Sequence, residues 1–459
     1  MSKVSNFTEG KILSPLLKFT IPILIASFLQ TMYGAIDLLI VGQFGTTADV
    51  SAVSTGSQVM LTVTAVITGL SMGITVLVGQ KLGEGKSKET GDVIGSGISI
   101  FAIITLIMTI LMVLFASPIS TFMHAPKEAF HSTVIYVQIC SAGSIFIVAY
   151  NIIGSIFRGL GDSKTPLIAV AIACIANIIG DLIFVVGFNM AATGAALATI
   201  IAQAISVFLS LAIIKKRGLP FEFSRKNIRF HKEYTSTIMK FGAPIALQDG
   251  LVFLSFLVIM IIGNSLGVVA SAGIGVAEKL VGFIMLIPSS FSKSVSTFVA
   301  QNYGAKKYDR IKKALMYSIS ASLACGIVMF YITFFHGNLL SGMFSKDTDV
   351  ILASWDYMKA YGIDCLLTAI MFCMVGYFTG CGKTTFVMIQ GIVGAFFIRI
   401  PVSYIMSKSL PVSLFKVGLA TPASTLVQIV LCVIYFMICA KEMSKEKTSL
   451  DLNSKIQDA

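Results

Sequence analysis

The sequence predicts an all-α polytopic membrane protein, with twelve transmembrane helices in two pseudo-symmetric six-helix bundles. Three observations carry that prediction. Of 459 residues, 56% are hydrophobic and only 12% charged, and the mean hydropathy is +0.88, well outside the range of soluble globular chains. Apolar stretches long enough to cross a bilayer, about 20 residues each, recur twelve times with short polar breaks. The second half also repeats the first. KFTIP at 18–22 returns as KFGAP at 240–244, 222 positions on, while VGQKLG at 78–83 returns as VAQNYG at 299–304 and GLG at 159–161 as GCG at 380–382, each 221 on.

Taken in order, the first six spans cover 16–44, 52–82, 91–115, 132–157, 166–188 and 194–214. The longest polar stretch between spans follows, KKRGLPFEFSRKNIRFHK at 215–232, and divides the chain. The second six cover 235–262, 272–300, 314–335, 350–378, 385–406 and 418–439. The expected organisation is a lobe at 1–215, a linker at 216–234, a second lobe at 235–440 and a tail at 441–459. Six helices, an even number, separate the copies, so the repeats share one orientation across the membrane. That is a transporter architecture, with binding near mid-membrane between or within the lobes.

Composition excludes several other classes. The formal net charge is +12, but 26 of the 34 Lys and Arg fall on one set of alternate loops and termini and 5 on the other. This is the positive-inside pattern, which puts both termini in the cytoplasm and needs no nucleic-acid partner. The polar opening lacks a basic region leading into a short apolar core, so no cleaved signal is expected. Eight cysteines, mostly within apolar stretches and without metal-ligand spacing, read as buried free thiols. The four histidines fall in or near predicted loops, which argues against a histidine relay inside the membrane. GCGKT at 380–384 looks like the end of a phosphate loop, but the first glycine of that motif would be residue 377, a tyrosine. With its counterpart at 159–161 it reads as a tight turn between paired helices, so no nucleotide is implied.

Asp181 interrupts an apolar run from Pro166 to Phe188, with Asn177 one turn before it on the same helical face. At the centre of a span an ionisable group costs roughly 2.5–3.5 kcal/mol, so it faces a cavity or a partner. Asp37 is the comparable acid elsewhere in the first half. Two carboxylates brought together in low dielectric share a proton or bind a cation. Pro22 removes a backbone hydrogen bond from helix 1 and makes either a hinge or a fixed kink. In the second half Asp249, Glu278, Lys279, Asp364 and Arg399 lie within spans, as a structural ion network or a second site for substrate or ion. Gln30, Met32, Tyr33, Met60, Met72, Tyr150, Met260 and Met285 could line an adaptable cavity or simply pack as core.

Pro22, the stretch DLLIVG at 37–42, the turn RGLGDSKTP at 158–166, Asn177 with Asp181, and GAALAT at 194–199 followed by Gln203 resemble the multidrug and toxic compound extrusion (MATE) family. The resemblance covers essentially the whole chain. It implies two bundles forming a V-shaped cavity and export of mainly cationic amphipathic compounds in exchange for H+ or Na+. In the branch that uses the first lobe, the coupling residues match here as Asp37, Asn177, Asp181 and Thr199, and Pro22 matches a proline tied to bending of helix 1. Another branch uses acids in helices 7 and 10, where this chain holds Val252 and Thr368. The Asn177 carbonyl and Thr199 hydroxyl add neutral oxygens suited to Na+ at the same place.

The expected function is secondary-active export of small organic cations by alternating access, with no enzymatic activity and no cofactor beyond the coupling H+ or Na+. The expected setting is lipid, in the plasma (inner) membrane of a prokaryote, with the chain a monomer. The alternatives are a lipid-linked precursor flippase, which would want buried Arg and Lys that the first-lobe spans lack, and a membrane enzyme, for which no His/Asp or Cys/His pattern is present.

Overall fold

The computed structural model describes residues 7–221 and 223–457. Among the described residues there is no strand, and the chain runs helix to helix. The spans are α1 (Leu13–Phe44), α2 (Thr47–Gly83), α3 (Ser87–Leu114), α4 (Lys127–Ala142 with Ser144–Gly159), α5 (Lys164–Gly187), α6 (Ala191–Arg217), α7 (Lys232–Asn264), α8 (Val268–Gly304), α9 (Tyr308–Gly342), α10 (Thr348–Gly380), α11 (Thr384–Lys408) and α12 (Leu414–Lys441). Eleven are single helices long and apolar enough to cross a membrane, and α4, bent by 49° at its break, makes the twelfth. The bend has a local cause. A β-carbon on Gly143 would lie 2.4 Å from the Ile200 side chain, so glycine lets α4 turn closely against α6. The outward faces carry exposed Leu39, Leu106, Phe208 and Phe397, as helices solvated by lipid should.

The chain forms two compact units. One comprises Leu17–Ala246; the other comprises Phe7–Leu16 together with the chain from Leu247 on. Each unit therefore takes in the peptide that precedes the other's run of helices. In the second unit Phe7 is buried with its ring 5.2 Å from that of Phe298, and its N–H donates to Gln301 Oε1 at 3.4 Å. Arg310 donates to the carbonyls of Phe7, Glu9 and Gly10 at 2.9, 3.1 and 2.8 Å, and Lys307 to that of Thr8 at 2.9 Å. In the first unit the linker is pinned similarly. Asn227 Nδ2 donates to Asp92 Oδ1 at 2.8 Å, and Gly95 leaves space for the Asn227 carbonyl that any β-carbon would fill.

The repeat seen in the sequence is a repeat in packing. A β-carbon on Gly159 would meet the Thr75 carbonyl at 2.9 Å and the Val78 side chain; one on Gly380 would meet the Ser296 carbonyl at 2.5 Å and the Val299 side chain. All three positions are related by the same 221-residue offset. After each close contact Gly161 and Gly382 turn the chain in the left-handed region, at φ 81° and 74°. Asp162 then accepts from the N–H groups of Lys164 and Thr165 at 3.0 and 3.1 Å, so a carboxylate fills the start of α5 where a phosphate loop would place its anion.

Two spans depart from α geometry in a matching way. α5 widens into a π-helical stretch at Leu182–Gly187, and α11 does so at Val393–Arg399. The first begins right after Asp181 and the second ends on Arg399, so both π segments adjoin a charged side chain inside a span.

Candidate functional site

In the first unit α1, α5 and α6 bring Asp37, Asn177, Asp181 and Thr199 together. Asp37 is 3% exposed, Asn177 1% and Asp181 0%. Thr199 Oγ1 donates to Asp37 Oδ2 at 3.1 Å. Asn177 and Asp181 approach Asp37 closely enough to act on its charge. Despite that convergence, Asp37 Oδ1, both Asp181 oxygens and both Asn177 amide atoms are sealed from solvent without a hydrogen-bond partner. Buried polar atoms are almost always paired. Five such atoms converge here, four of them oxygens on three residues, which gives a donor set fitted to a proton or a small cation.

Local sequence builds this pocket. Alanines 195, 196 and 198 keep α6 slim, and Gly180 lies so near Ala198 that a β-carbon would come within 2.9 Å. α5 can therefore press Asn177 and Asp181 towards α1. Ile40, Val41, Val185, Ala192 and Ala195, on the same three helices, belong to one buried apolar cluster, and burial in apolar surroundings strengthens charge interactions.

Tyr136 and Cys140 on α4 are functional-site neighbours that the sequence reading missed. Both are buried, and both lie within electrostatic reach of Asp37. Gly56 gives the Tyr136 ring its place, since a β-carbon there would sit 2.4 Å from it. A tyrosine in an apolar run carries no signal by itself; its meaning comes from the bend of α4. Tyr33, one turn before Asp37, donates to the Val170 carbonyl at 2.7 Å and ties α1 to α5, and Gln30 donates to the Tyr150 hydroxyl at 3.1 Å. Of the proposed cavity methionines, Met60 belongs to the apolar core of the first unit, and Met260 and Met285 pack on that of the second. Met32 and Met72 are half-buried. Pro22 lies inside α1, well before Asp37.

Arg158 differs from the sequence expectation that the first-lobe spans hold no basic group. α4 runs on to Gly159, and Arg158 is lodged at its end with Nη2 2.7 Å from Ser155 Oγ and Nε buried without a partner.

In the second unit Asp364 on α10 is 1% exposed and Arg399 on α11 is 6% exposed, and each acts on the other's charge. Arg399 Nη1 donates to Ser255 Oγ at 3.1 Å, and its guanidinium lies 4.5 Å from the Phe256 ring centre. Asp249 is exposed and has Lys293 as its opposite charge, while Lys279 is exposed and takes no part in this cluster. Thr368 is buried and donates to the Asp364 carbonyl at 2.7 Å, and Val252 is half-buried. No acid stands at either of those two positions. All eight cysteines are free thiols, seven of them buried.

A family model, MatE, matches residues 22–183 and 244–405, once in each half and over most of the chain. The chain belongs to the MATE family. Among its MATE relatives is the probable multidrug resistance protein YoeA of Bacillus subtilis, 22% identical over 439 residues that cover 92% of this chain and 93% of the relative. The multidrug export protein MepA of Staphylococcus saprophyticus is 27% identical over 412 residues, covering 87% and 88%. A MATE crystal structure in complex with MaL6 superposes with a TM-score of 0.90 at 19% identity, covering 97% of this chain and 100% of that one. The MATE proteins are transporters rather than enzymes, and this member is an integral membrane protein of the multidrug-efflux type.

Proposed function

We propose that this MATE member exports small cationic amphipathic compounds by alternating access, driven by H+ or Na+ loaded at Asp37, Asn177, Asp181 and Thr199. The observation that carries the proposal is the set of unpaired buried oxygens around Asp37. A proton satisfies two carboxylates that cannot both stay charged in a dry pocket. Na+ would instead be held by Asp37 Oδ1, the Asp181 oxygens, the Asn177 carbonyl and the Thr199 hydroxyl, all hard donors. Either ion neutralises charge that α1 and α5 otherwise hold apart. Pro22 leaves α1 without one backbone hydrogen bond, and we assign it the hinge through which loading at Asp37 alters the helix. The chain works as a monomer in the plasma membrane of a prokaryote, with both termini cytoplasmic.

The test is efflux of a fluorescent organic cation from vesicles under separately imposed pH and Na+ gradients. Asp37→Asn and Asp181→Asn should each abolish gradient-driven export while the protein still folds. Wild-type export in both variants would remove the acids from the coupling role. A flippase for pyrophosphate-linked lipids would need several basic groups lining one cavity; Arg158, bound to Ser155, does not supply that set.

A further inference from the structure

The linker that follows α6 lies on a face of α3 that is otherwise left to lipid. Ile103, Leu106, Ile107 and Ile110 point outward from α3, each 49–63% exposed, at the spacing of one helical face. Ser96 and Asp92 continue that face about two and three turns before Ile103, and there the linker covers it. Asn227 Nδ2 donates to Asp92 Oδ1 at 2.8 Å, and Ser96 Oγ donates to the Arg229 carbonyl at 3.5 Å. The 28 residues of α3 make about 42 Å of helix, close to the ~40–45 Å of a bilayer with its headgroups. The linker crosses α3 at Asp92 to Ser96, ~8–14 Å from its start, which is the depth where headgroups give way to acyl chains. Its apolar side chains divide at this crossing. Leu219, Phe221 and Phe223 pack into the core of the first unit, whereas Ile228 and Phe230 are turned outward, 43% and 57% exposed.

We propose that the linker segment 226–232 is a docking strip for an anionic phospholipid, with Ile228 and Phe230 set among its acyl chains and Lys226 and Lys232 on its headgroup phosphate. Both lysines are exposed, and neither has an ion pair among the described residues. The acids beneath them are already engaged. Glu84 and Glu89 bridge Lys81 and Lys86 at 2.8–3.6 Å, and Glu89 also accepts from the Tyr234 hydroxyl at 3.3 Å. Asp92 has Asn227 and, at 3.7 Å, His231. Arg229 is exposed and spends only its Nε on His231, at 2.9 Å. Glu233 is exposed beside Lys232, and against it stand three cations, so the strip keeps a net positive charge. An aromatic ring with flanking cations at this depth is the pattern that holds a segment to a membrane interface, and each cation near an anionic leaflet adds to the attraction. Because Asn227 and Gly95 already fix the backbone, lipid binding need not order the strip. The strip shares no residue with the ion site of Asp37 and Asp181.

The test places a reporter on the strip itself. The full-length protein carrying Phe230→Trp, a conservative change at an exposed position, is reconstituted in phosphatidylcholine vesicles. Its emission, after subtraction of the parent protein's Trp355 signal, is quenched with brominated phosphatidylglycerol or brominated phosphatidylcholine at equal mole fraction. The expected result is stronger quenching by phosphatidylglycerol. Adding Lys226→Gln and Lys232→Gln, which break no internal bond, should cut that preference by about fivefold per lysine, or about 25-fold for the pair. Glycerol phosphate in the aqueous phase should leave the preference unchanged. Equal quenching by the two lipids, no quenching by either, or a preference that survives loss of both lysines overturns the proposal. A preference removed by glycerol phosphate also overturns it, since the strip would then take a soluble anion rather than a lipid.

Discussion

Asp181→Asn should stabilise the protein in the absence of ion while removing driven export. Asp181 is wholly buried, and the acid it meets, Asp37, offers no opposite charge. Asp37 acts on the Asp181 charge, and two like charges at contact range, on the order of 4 Å, repel by about 4 kcal/mol at an effective dielectric of ~20. Asparagine keeps the shape, removes the repulsion, and offers an N–H to the unpaired Asp37 Oδ1. Exchanging a buried charge for a neutral group in this way stabilises by about 1–4 kcal/mol. For a unit of this size each kcal/mol raises the unfolding midpoint by ~2–4 °C. The same ~4 kcal/mol is attraction lost to a bound monovalent cation, so cation affinity should fall by roughly three orders of magnitude. The assay is thermal unfolding in Na+-free buffer at alkaline pH, beside vesicle efflux. A midpoint lowered by several degrees with export retained would refute the reasoning and make Asp181 a structural residue.

Gly380→Ala and Gly159→Ala should each lower the thermal midpoint by the equivalent of about 1–3 kcal/mol, because the new methyl meets a backbone carbonyl that cannot retreat. Gly282→Ala, with open space around it, should be neutral or slightly stabilising in the same measurement. Arg310→Ala deletes the donors to three carbonyls of the amino-terminal peptide, so hydrogen exchange over residues 7–12 should accelerate with little change elsewhere. Lys279→Ala should leave export within twofold of wild type, since its side chain is exposed and contributes nothing to the buried cluster.

The helical class, the number of spans and the repeat were legible because hydropathy and a 221-residue offset depend on residue type alone. The glycines at 159 and 380 show how far that reaches, since their shared offset is also a shared packing contact. Asp37, Asn177 and Asp181 could be picked out because an acid is costly in an apolar run, wherever the helices end up. Tyr136 could not, since its position against Asp37 depends on a bend of 49° that no periodicity announces. Among the second-half charges, sequence could assemble the set but not sort it. Only packing shows that Arg399 reaches Ser255 and the Phe256 ring within the field of Asp364, and that Lys279 is exposed.

The clasp on the amino-terminal peptide bears on the order in which the protein can be made. Phe7 leaves the ribosome well before its partner Gln301, which lies 294 positions later. At roughly 5–20 residues per second, about 15–60 s pass before that partner exists. Throughout that interval the peptide ahead of α1 has no docking place, whereas the linker at 219–231 meets Asp92 and Gly95 as soon as it is synthesised. Biogenesis is thus vectorial for one half and deferred for the other, and a first half expressed alone would leave residues 7–10 without the side chains that hold them.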